Sequence, residues 1–151
     1  MTTMTEQATQ VYSVFIRATP EQVWDGITKP EFTTRYFYGT KIDSTFEPGA
    51  PYLSVAGDGG ETLVEGEVLE SDPPRMLKHT WRALYDPETA SEPHSRVTWE
   101  IEPQEGGVTK LTVTHDQLEA APKTAVSVAG GWSYVLSGLK TLLETGEPLQ
   151  G

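Results

Sequence analysis

Hydrophobic residues recur with helical spacing near the C-terminal end of the chain. Within residues 130–146 the apolar positions are Trp132, Val135, Leu136, Leu139, Leu142 and Leu143. The last five follow Trp132 by three, four, seven, ten and eleven residues, which is the pattern of an amphipathic helix. Gly146 and Pro148 mark its end, because glycine accepts a left-handed cap and proline cannot continue the helix. So wide an apolar face needs a surface to cover it, and we expect the rest of the chain to provide a sheet that does so.

Between residues 40 and 115 the hydrophobic period changes to two, which is typical of β-strands. The candidate strands are residues 40–47, 51–56, 62–71, 75–85, 95–102 and 108–115. The segments between them contain the Gly, Pro and Asp residues of turns, and short connections favour antiparallel pairing. The alternation predicts a sheet with one polar, solvent-exposed face and one apolar face. The positions predicted for the apolar face include Leu77, His79, Trp81, Val97, Trp99, Ile101, Leu111, Val113 and His115.

The sequence of the N-terminal part of the chain predicts a tail, a strand and two short helices. Residues 1–10 are expected to form a disordered tail, and residues 11–151 a single domain. Residues 11–18 are rich in β-branched and aromatic side chains, so we predict a strand that is apolar on both faces. A first short helix is predicted to begin here, because Thr19, Pro20 and Gln22 form a capping-box pattern. A second short helix is predicted to begin at Pro30, with Phe32 and Tyr36 on one of its faces.

The composition excludes several classes of function. The net charge of −11 repels phosphate backbones, so we expect no nucleic-acid partner. The chain has no cysteine, hence no disulfide, no thiolate nucleophile and no cysteine-ligated metal. No signal peptide or membrane-spanning run is recognisable, so we expect a cytoplasmic protein that does not insert into membranes. The three histidines lack metal-ligand spacing, and we expect neither a metal site nor a cofactor.

Several stretches carry a resemblance to a known family. They are Ala18-Thr-Pro-Glu-Gln-Val-Trp24 and residues 66–75, 114–115 and 131–146. These stretches resemble the bacterial proteins that are similar to the C-terminal domain of the heat-shock protein 90 ATPase activator. That family belongs to the START or birch-pollen-allergen superfamily, also called SRPBCC. The resemblance implies an α+β helix-grip fold, in which a seven-stranded antiparallel sheet curves around the C-terminal helix. It also implies two short helices between the first two strands.

The resemblance and the apolar pattern together suggest a site between sheet and helix. The residues predicted to bind a ligand there are Tyr36, Tyr38, His79, Trp81, Trp99, His115, Trp132, Leu136 and Leu139. His79 and His115 have two interpretations. They are either neutral core histidines satisfied by nearby groups, or the few polar anchors of an apolar pocket. Tyr36 and Tyr38 are predicted to lie at the pocket mouth.

Three functional hypotheses follow. The first is a protein that binds a small hydrophobic or aromatic molecule. The second is a cyclase-like or hydrolase-like enzyme in which His79 or His115 acts as general base, although alternation points the neighbouring Asp116 the opposite way. The third is a chaperone-binding module. Because a separate domain precedes this one in the eukaryotic activator and only ten residues do so here, we do not expect chaperone activation. We favour binding without turnover, and the formation of a homodimer stays open.

Overall fold

Seven antiparallel strands form one sheet that curls around the long C-terminal helix. The computed structural model describes residues 8–57 and 60–149. Its strands are β1 (Gln10–Ile16), β2 (Thr40–Asp43), β3 (Pro51–Ala56), β4 (Thr62–Asp72), β5 (Met76–Ala83), β6 (Ser95–Pro103) and β7 (Thr109–Asp116). Its helices are α1 (Pro20–Thr28), α2 (Pro30–Tyr36), α3 (Pro87–Ala90), α4 (Pro122–Ala129) and α5 (Gly131–Thr145). None of these described helices is long and apolar enough to cross a membrane.

The strand order is β1-β7-β6-β5-β4-β3-β2. Strands β2 to β7 follow each other along the chain as hairpins, and β1 joins the far side of β7, with Tyr12 opposite Val113. This arrangement places β1 and β2 at the two edges and the histidine-bearing strands β5 and β7 on either side of β6. The predicted α+β helix-grip architecture, with two short helices between the first two strands, is confirmed.

Helix α5 forms where the hydrophobic spacing predicts it. It begins at Gly131, and Gly146 ends it with a φ of 79°, in the left-handed region that glycine tolerates. Trp132, Leu136 and Leu139 are all buried against the sheet, whereas Ser133 and Ser137 are exposed. The apolar stripe is therefore the face that the sheet covers.

The start of helix α1 is the predicted capping box. The backbone N–H of Gln22 donates to Thr19 Oγ1 at 3.1 Å, and the backbone N–H of Thr19 donates to Gln22 Oε1 at 2.8 Å. Pro20 occupies the first helical position, where the missing N–H leaves no bond unmade. Helix α2 likewise begins at Pro30 and ends at Tyr36, close to Gly39.

Strand β1 differs from its prediction. It spans Gln10–Ile16 and is apolar towards the core on one side only, because Val11 and Phe15 are 59% and 53% exposed on its outer side. The β-branched and aromatic content indicated a strand but not how many of its faces are covered. Of the expected tail, residues 1–7 lie outside the described residues, while Gln10 already belongs to β1. The strand predicted at residues 40–47 ends at Asp43.

Helices α3 and α4 were not predicted. Both lie in segments where turn residues obscure a short helical pattern, and both begin at a proline, Pro87 and Pro122. The two segments are joined, because the Glu92 carboxylate accepts hydrogen bonds from the backbone N–H groups of Lys123 and Thr124 at 2.9 and 2.8 Å. This contact satisfies free donors at the start of α4.

The long helix also reaches the outer edge of the sheet. Lys140 Nζ donates to the backbone carbonyl of Phe15 at 2.7 Å, and Glu144 Oε2 accepts from the backbone N–H of Arg17 at 2.8 Å. Lys140 and Glu144 also form an ion pair with each other at 2.7 Å. Backbone groups at the end of β1 are thus satisfied by side chains of α5.

Candidate functional site

A cavity of about 330 Å³ lies between the sheet and helices α4 and α5. Its walls come from the loop after α2, from strands β2 to β5, from the loop after β5 and from both helices. The lining residues are Phe37, Tyr38, Thr40, Ser54, Leu63, Val64, Trp81, Tyr85, Ser127, Val128, Gly131, Trp132 and Val135. None of these side chains carries a charge, so the cavity is an uncharged and largely apolar space.

The mouth of the cavity is formed by two exposed tyrosines from different loops. The Tyr85 hydroxyl is 2.8 Å from the Ser127 hydroxyl, and this hydrogen bond links the loop after β5 to α4. On the other side, Tyr38 stacks on Tyr134 of α5, with 5.7 Å between the ring centroids. Aromatic rings with polar tips suit such a boundary, since the ring contacts apolar groups while the hydroxyl stays in water.

The inner wall is a cluster of buried aromatic rings. Trp81 and Trp132 are 5.5 Å apart between ring centroids, and the Phe37 ring meets Trp132 edge to face at 6.0 Å. Trp99 lies behind Trp132, at 5.4 Å, without lining the cavity itself. The tryptophans of β5 and α5 therefore present flat apolar surfaces to any molecule in the cavity.

The polar groups of the inner wall are few. Thr40 Oγ1 already donates to the backbone carbonyl of Phe37 at 2.6 Å. The indole Nε1–H of Trp81 is buried and has no hydrogen-bond partner among the described residues. Since an indole N–H can only donate, an acceptor is the one kind of group that can satisfy it.

His115 lies in a buried hydrogen-bonded chain. Nδ1 of His115 accepts from the indole N–H of Trp132 at 3.0 Å. Its Nε2 must then carry the proton, which faces Ser95 Oγ at 2.7 Å. The Ser95 hydroxyl in turn donates to the backbone carbonyl of Trp81 at 3.3 Å. Both ring nitrogens of His115 are therefore occupied.

His79 is satisfied in the same way. Its Nε2 accepts from the indole N–H of Trp99 at 3.0 Å, and its Nδ1 is 2.9 Å from the backbone carbonyl of Thr80, to which it donates. The Tyr52 ring stacks on this imidazole with 3.6 Å between centroids. His79 and His115 are thus each the acceptor for one tryptophan, His79 through Nε2 and His115 through Nδ1.

Burial controls the charge of both imidazoles. It lowers the pKa of His79 to about 4, although the bond to the Thr80 carbonyl offsets part of that effect. Burial, and then repulsion from the charged form of His79, lowers the pKa of His115 to about 3. Asp116 lies on the opposite face of β7 and binds Arg96 through two hydrogen bonds. Both histidines are therefore neutral near pH 7.

The predicted site residues fall into three groups. Tyr38, Trp81 and Trp132 line the cavity. Tyr36 is buried, donates its hydroxyl proton to the backbone carbonyl of Gly26 at 2.7 Å, and borders a separate, smaller cavity with Tyr38. The remaining predicted residues are buried outside the lining: His79, Trp99, His115, Leu136 and Leu139.

Sequence reasoning missed most of the remaining lining. Val64 is at an inward position of β4, where the alternation was a usable signal. Ser127 and Val128 lie in α4, which was not predicted, whereas Tyr85 ends the strand predicted at residues 75–85 but lies beyond the observed end of β5 at Ala83. Within residues 8–57 and 60–149, no three His, Asp or Glu side chains are grouped in a way that could hold a metal ion.

Comparison with known proteins identifies the kind of fold and the family. The model of the family described as "Activator of Hsp90 ATPase homolog 1-like protein" matches residues 17–144. A comparison with curated proteins gave no significant match.

Several solved structures share the architecture. Protein MLL2253 from Mesorhizobium loti is 25% identical, with a TM-score of 0.71, over 89% of this chain and 96% of that one. DynU16, from the dynemicin biosynthetic locus, is 23% identical, with a TM-score of 0.75, over 93% of this chain and 49% of its own. PFC0360w, an Hsp90 activator from Plasmodium falciparum, is 19% identical, with a TM-score of 0.68, over 90% and 96% of the two chains. At these identities the similarity concerns the fold.

Proposed function

The chain belongs to the family of activator of Hsp90 ATPase homolog 1-like proteins, and on this premise we propose that it binds a small hydrophobic or aromatic molecule. The proposed site is the cavity between the sheet and helices α4 and α5. The observation that carries the proposal is an uncharged, aromatic-lined space of about 330 Å³ with an exposed tyrosine mouth. Protein interiors contain few voids larger than a water molecule, and ligand pockets begin at roughly 300 Å³.

The chemistry of the lining supports the same class of ligand. Small-molecule sites combine apolar and aromatic walls with a few polar groups that orient the bound molecule. Here Trp81 and Trp132 supply flat apolar surface, and the hydroxyl groups of Tyr38 and Tyr85 lie at the mouth. A planar, apolar molecule would bury most of its surface against these rings.

The test uses two substitutions on the same helix. Val128 is buried and lines the cavity, whereas Val126, two residues earlier, is 66% exposed and does not. We expect the uncharged fluorescent probe N-phenyl-1-naphthylamine to bind the wild-type protein saturably at one site. Val128→Phe fills part of the cavity and should weaken binding by about tenfold or more, while Val126→Phe should leave it unchanged. Absence of saturable binding, or equal binding by the two variants, would contradict the proposal.

The enzymatic hypothesis receives less support from the geometry. A general base must reach the substrate with a free nitrogen, but both nitrogens of His79 and of His115 are bonded and neither residue lines the cavity. The similarity to an Hsp90 activator is at the level of the fold, and for that reason we propose no chaperone partner.

A further inference from the structure

Ser54 of strand β3 is a buried polar residue on the inner face of the sheet. Side chains along a strand alternate between its two faces, and the buried positions of β3 are Tyr52 and Ser54. Ser54 is 3% exposed and pairs with Val64 of β4, which is also buried and lines the same cavity. A serine therefore stands where its neighbours on the same face are apolar. A residue that departs from the local pattern in this way is a candidate for function.

The side-chain hydroxyl of Ser54 has no hydrogen-bond partner in the described part of the chain. Other buried hydroxyl groups are paired, as Thr109 Oγ1 is with the backbone carbonyl of Ala18 at 2.7 Å. Among the described residues, the buried hydroxyl groups without a partner are those of Thr33, Tyr52 and Ser54. The oxygens of Thr33 and Tyr52 have essentially no accessible surface, and neither residue lines the cavity. Ser54 does line it, so its hydroxyl is free to bind a molecule inside.

The other hydroxyl groups of the cavity are either paired or at its mouth. Thr40 Oγ1 donates to a backbone carbonyl at 2.6 Å. The hydroxyl groups of Tyr85 and Ser127 bind each other at 2.8 Å. Tyr38 is 61% exposed, so its hydroxyl can bind bulk water whether or not the cavity is occupied. None of these four groups offers the inner end of the cavity an unpaired hydroxyl.

The two tryptophans of the wall offer no accessible donor either. The indole N–H of Trp132 already donates to Nδ1 of His115 at 3.0 Å. The indole nitrogen of Trp81 has essentially no accessible surface, so a molecule in the cavity contacts its ring and not its N–H. The hydroxyl of Ser54 is therefore the polar side-chain group of the inner wall that a ligand can bind without breaking an existing hydrogen bond.

The charges around the cavity restrict the kind of group that can bind Ser54. No lysine, arginine, histidine, aspartate or glutamate is among the lining residues, so a buried ion would lose its hydration without gaining a counter-charge. A serine hydroxyl supplies one donor and two acceptor sites, and it can therefore pair with a neutral hydroxyl or carbonyl oxygen.

We propose that the ligand is an uncharged, largely apolar molecule with a hydroxyl or carbonyl oxygen that forms a hydrogen bond with Ser54. The rings of Trp81 and Trp132 contact its apolar part, and Ser54 determines which of several molecules of similar shape is bound most tightly. This inference rests on the proposed function, since it names the class of molecule that the same cavity binds.

The test compares two probes that differ in one group. 2-Naphthol carries a hydroxyl group, and 2-methylnaphthalene carries a methyl group of similar size at the same position. We expect Ser54→Ala to reduce the preference for 2-naphthol over 2-methylnaphthalene by about fivefold, because the net gain from one neutral hydrogen bond is modest. Ser54→Thr retains the hydroxyl and should keep the wild-type ratio. Tyr38→Phe and Ser127→Ala remove other hydroxyl groups of the cavity and should also keep it.

Stability distinguishes a binding role of Ser54 from a structural one. Because no described residue bonds to its hydroxyl, Ser54→Ala should leave the urea midpoint of the ligand-free protein unchanged or raise it. A clear fall in the midpoint would show that the hydroxyl supports the fold and would overturn the inference. 2-Naphthoate is the charged probe, and it should bind at least about tenfold more weakly than 2-naphthol.

The possible failures are distinguishable. Saturable binding of both neutral probes, with a ratio that Ser54→Ala does not change, would overturn this inference and leave the proposed function intact. Binding of 2-naphthoate as tight as that of 2-naphthol would overturn it as well, and so would binding of N-phenyl-1-naphthylamine without binding of 2-naphthol. If neither neutral probe bound, and N-phenyl-1-naphthylamine also failed to bind, the proposed function would fall together with the inference.

Discussion

The indole N–H of Trp132 donates to Nδ1 of His115, with 3.0 Å between the two nitrogens, and this bond joins α5 to β7 inside an apolar core. Apolar contacts alone are not directional, so they restrict the rotation of a helix only weakly. A buried hydrogen bond between one helix residue and one strand residue does restrict it, because any other rotation leaves both groups unpaired. The pair therefore specifies which face of α5 meets the sheet.

Replacement of Trp132 should destabilise the protein strongly. Trp132→Ala removes a buried ring, and it also leaves Nδ1 of His115 without a donor. We expect the free energy of unfolding to fall by about 3–5 kcal/mol, measured by urea denaturation. Ser133→Ala on the exposed side of the same helix is the control and should change it by less than about 0.5 kcal/mol. An unmoved midpoint for Trp132→Ala would show that the sheet does not hold the helix.

The buried histidines predict a loss of stability in mild acid. Their pKa values are about 4 and about 3 in the folded protein, below the value of 6.5 for an exposed histidine. The unfolded chain therefore binds more protons than the folded one below pH 6.5, so stability is complete above that pH and falls as the pH is lowered towards 4. The slope should reach at most about 1.4 kcal/mol per pH unit for each histidine.

The measurement is the free energy of unfolding at several pH values between 7 and 4. His79→Gln and His115→Gln cannot take up a proton there, so each should flatten the slope even where it lowers stability overall. His94→Gln is the matched control, since His94 lies at the surface beside Glu65. A slope between pH 6.5 and 4.5 that persists when both buried histidines are replaced would contradict the assignment.

Gly66 should tolerate no side chain. A Cβ atom at this position of β4 would lie 2.0 Å from the backbone carbonyl oxygen of Thr80, far inside van der Waals contact. Because the obstacle is backbone, we expect Gly66→Ala to lower the free energy of unfolding by about 2 kcal/mol or more. Gly130 precedes α5 with open space around it and a negative φ, so Gly130→Ala should be neutral or slightly stabilising. Equal thermal midpoints for the two variants would refute this explanation.

Glu92 should stabilise the start of α4. Burial by itself would raise the pKa of this carboxyl group, but the hydrogen bonds from Lys123 and Thr124 together lower it. Glu92→Gln weakens these bonds, and we expect a loss of about 0.5–2 kcal/mol near pH 7 that shrinks as the pH falls below 4.5. Glu88→Gln serves for comparison, because Glu88 forms only an exposed ion pair with Lys123 at 3.5 Å. A pH-independent difference between the two variants would argue against the carboxylate as the cause.

The sequence predicted the elements with a strong local pattern. The stripe of α5 and the capping box at Thr19 depend on neighbours along the chain, and both are present as expected. Pairing of β1 with β7 depends on contacts about a hundred residues apart, for which only the family resemblance gave a guide. Phe15 is exposed because it lies on the outer side of β1, and the composition of the strand carries no information on which of its sides is covered.

The site was less predictable for a related reason. Alternation placed His79, Trp81 and His115 on the inward face correctly, but it does not tell which inward residues touch a cavity and which touch each other. The histidines are occupied by tryptophan donors from β6 and α5, a match that exists only in three dimensions. Tyr85 was included at the end of the strand predicted at residues 75–85, but β5 ends at Ala83 and Tyr85 reaches the mouth from the loop that follows.

The contacts of Lys140 and Glu144 with the end of β1 have a consequence for how the chain avoids self-association. An edge strand with free backbone groups is a template onto which a strand of another copy can add. Lys140 and Glu144 are 125 and 127 positions after the backbone groups that they bind, in helix α5. A nascent or partly unfolded chain therefore exposes the edge until α5 docks. Helix docking closes the fold and at the same time occupies two backbone groups at the end of β1 to which an added strand could bind.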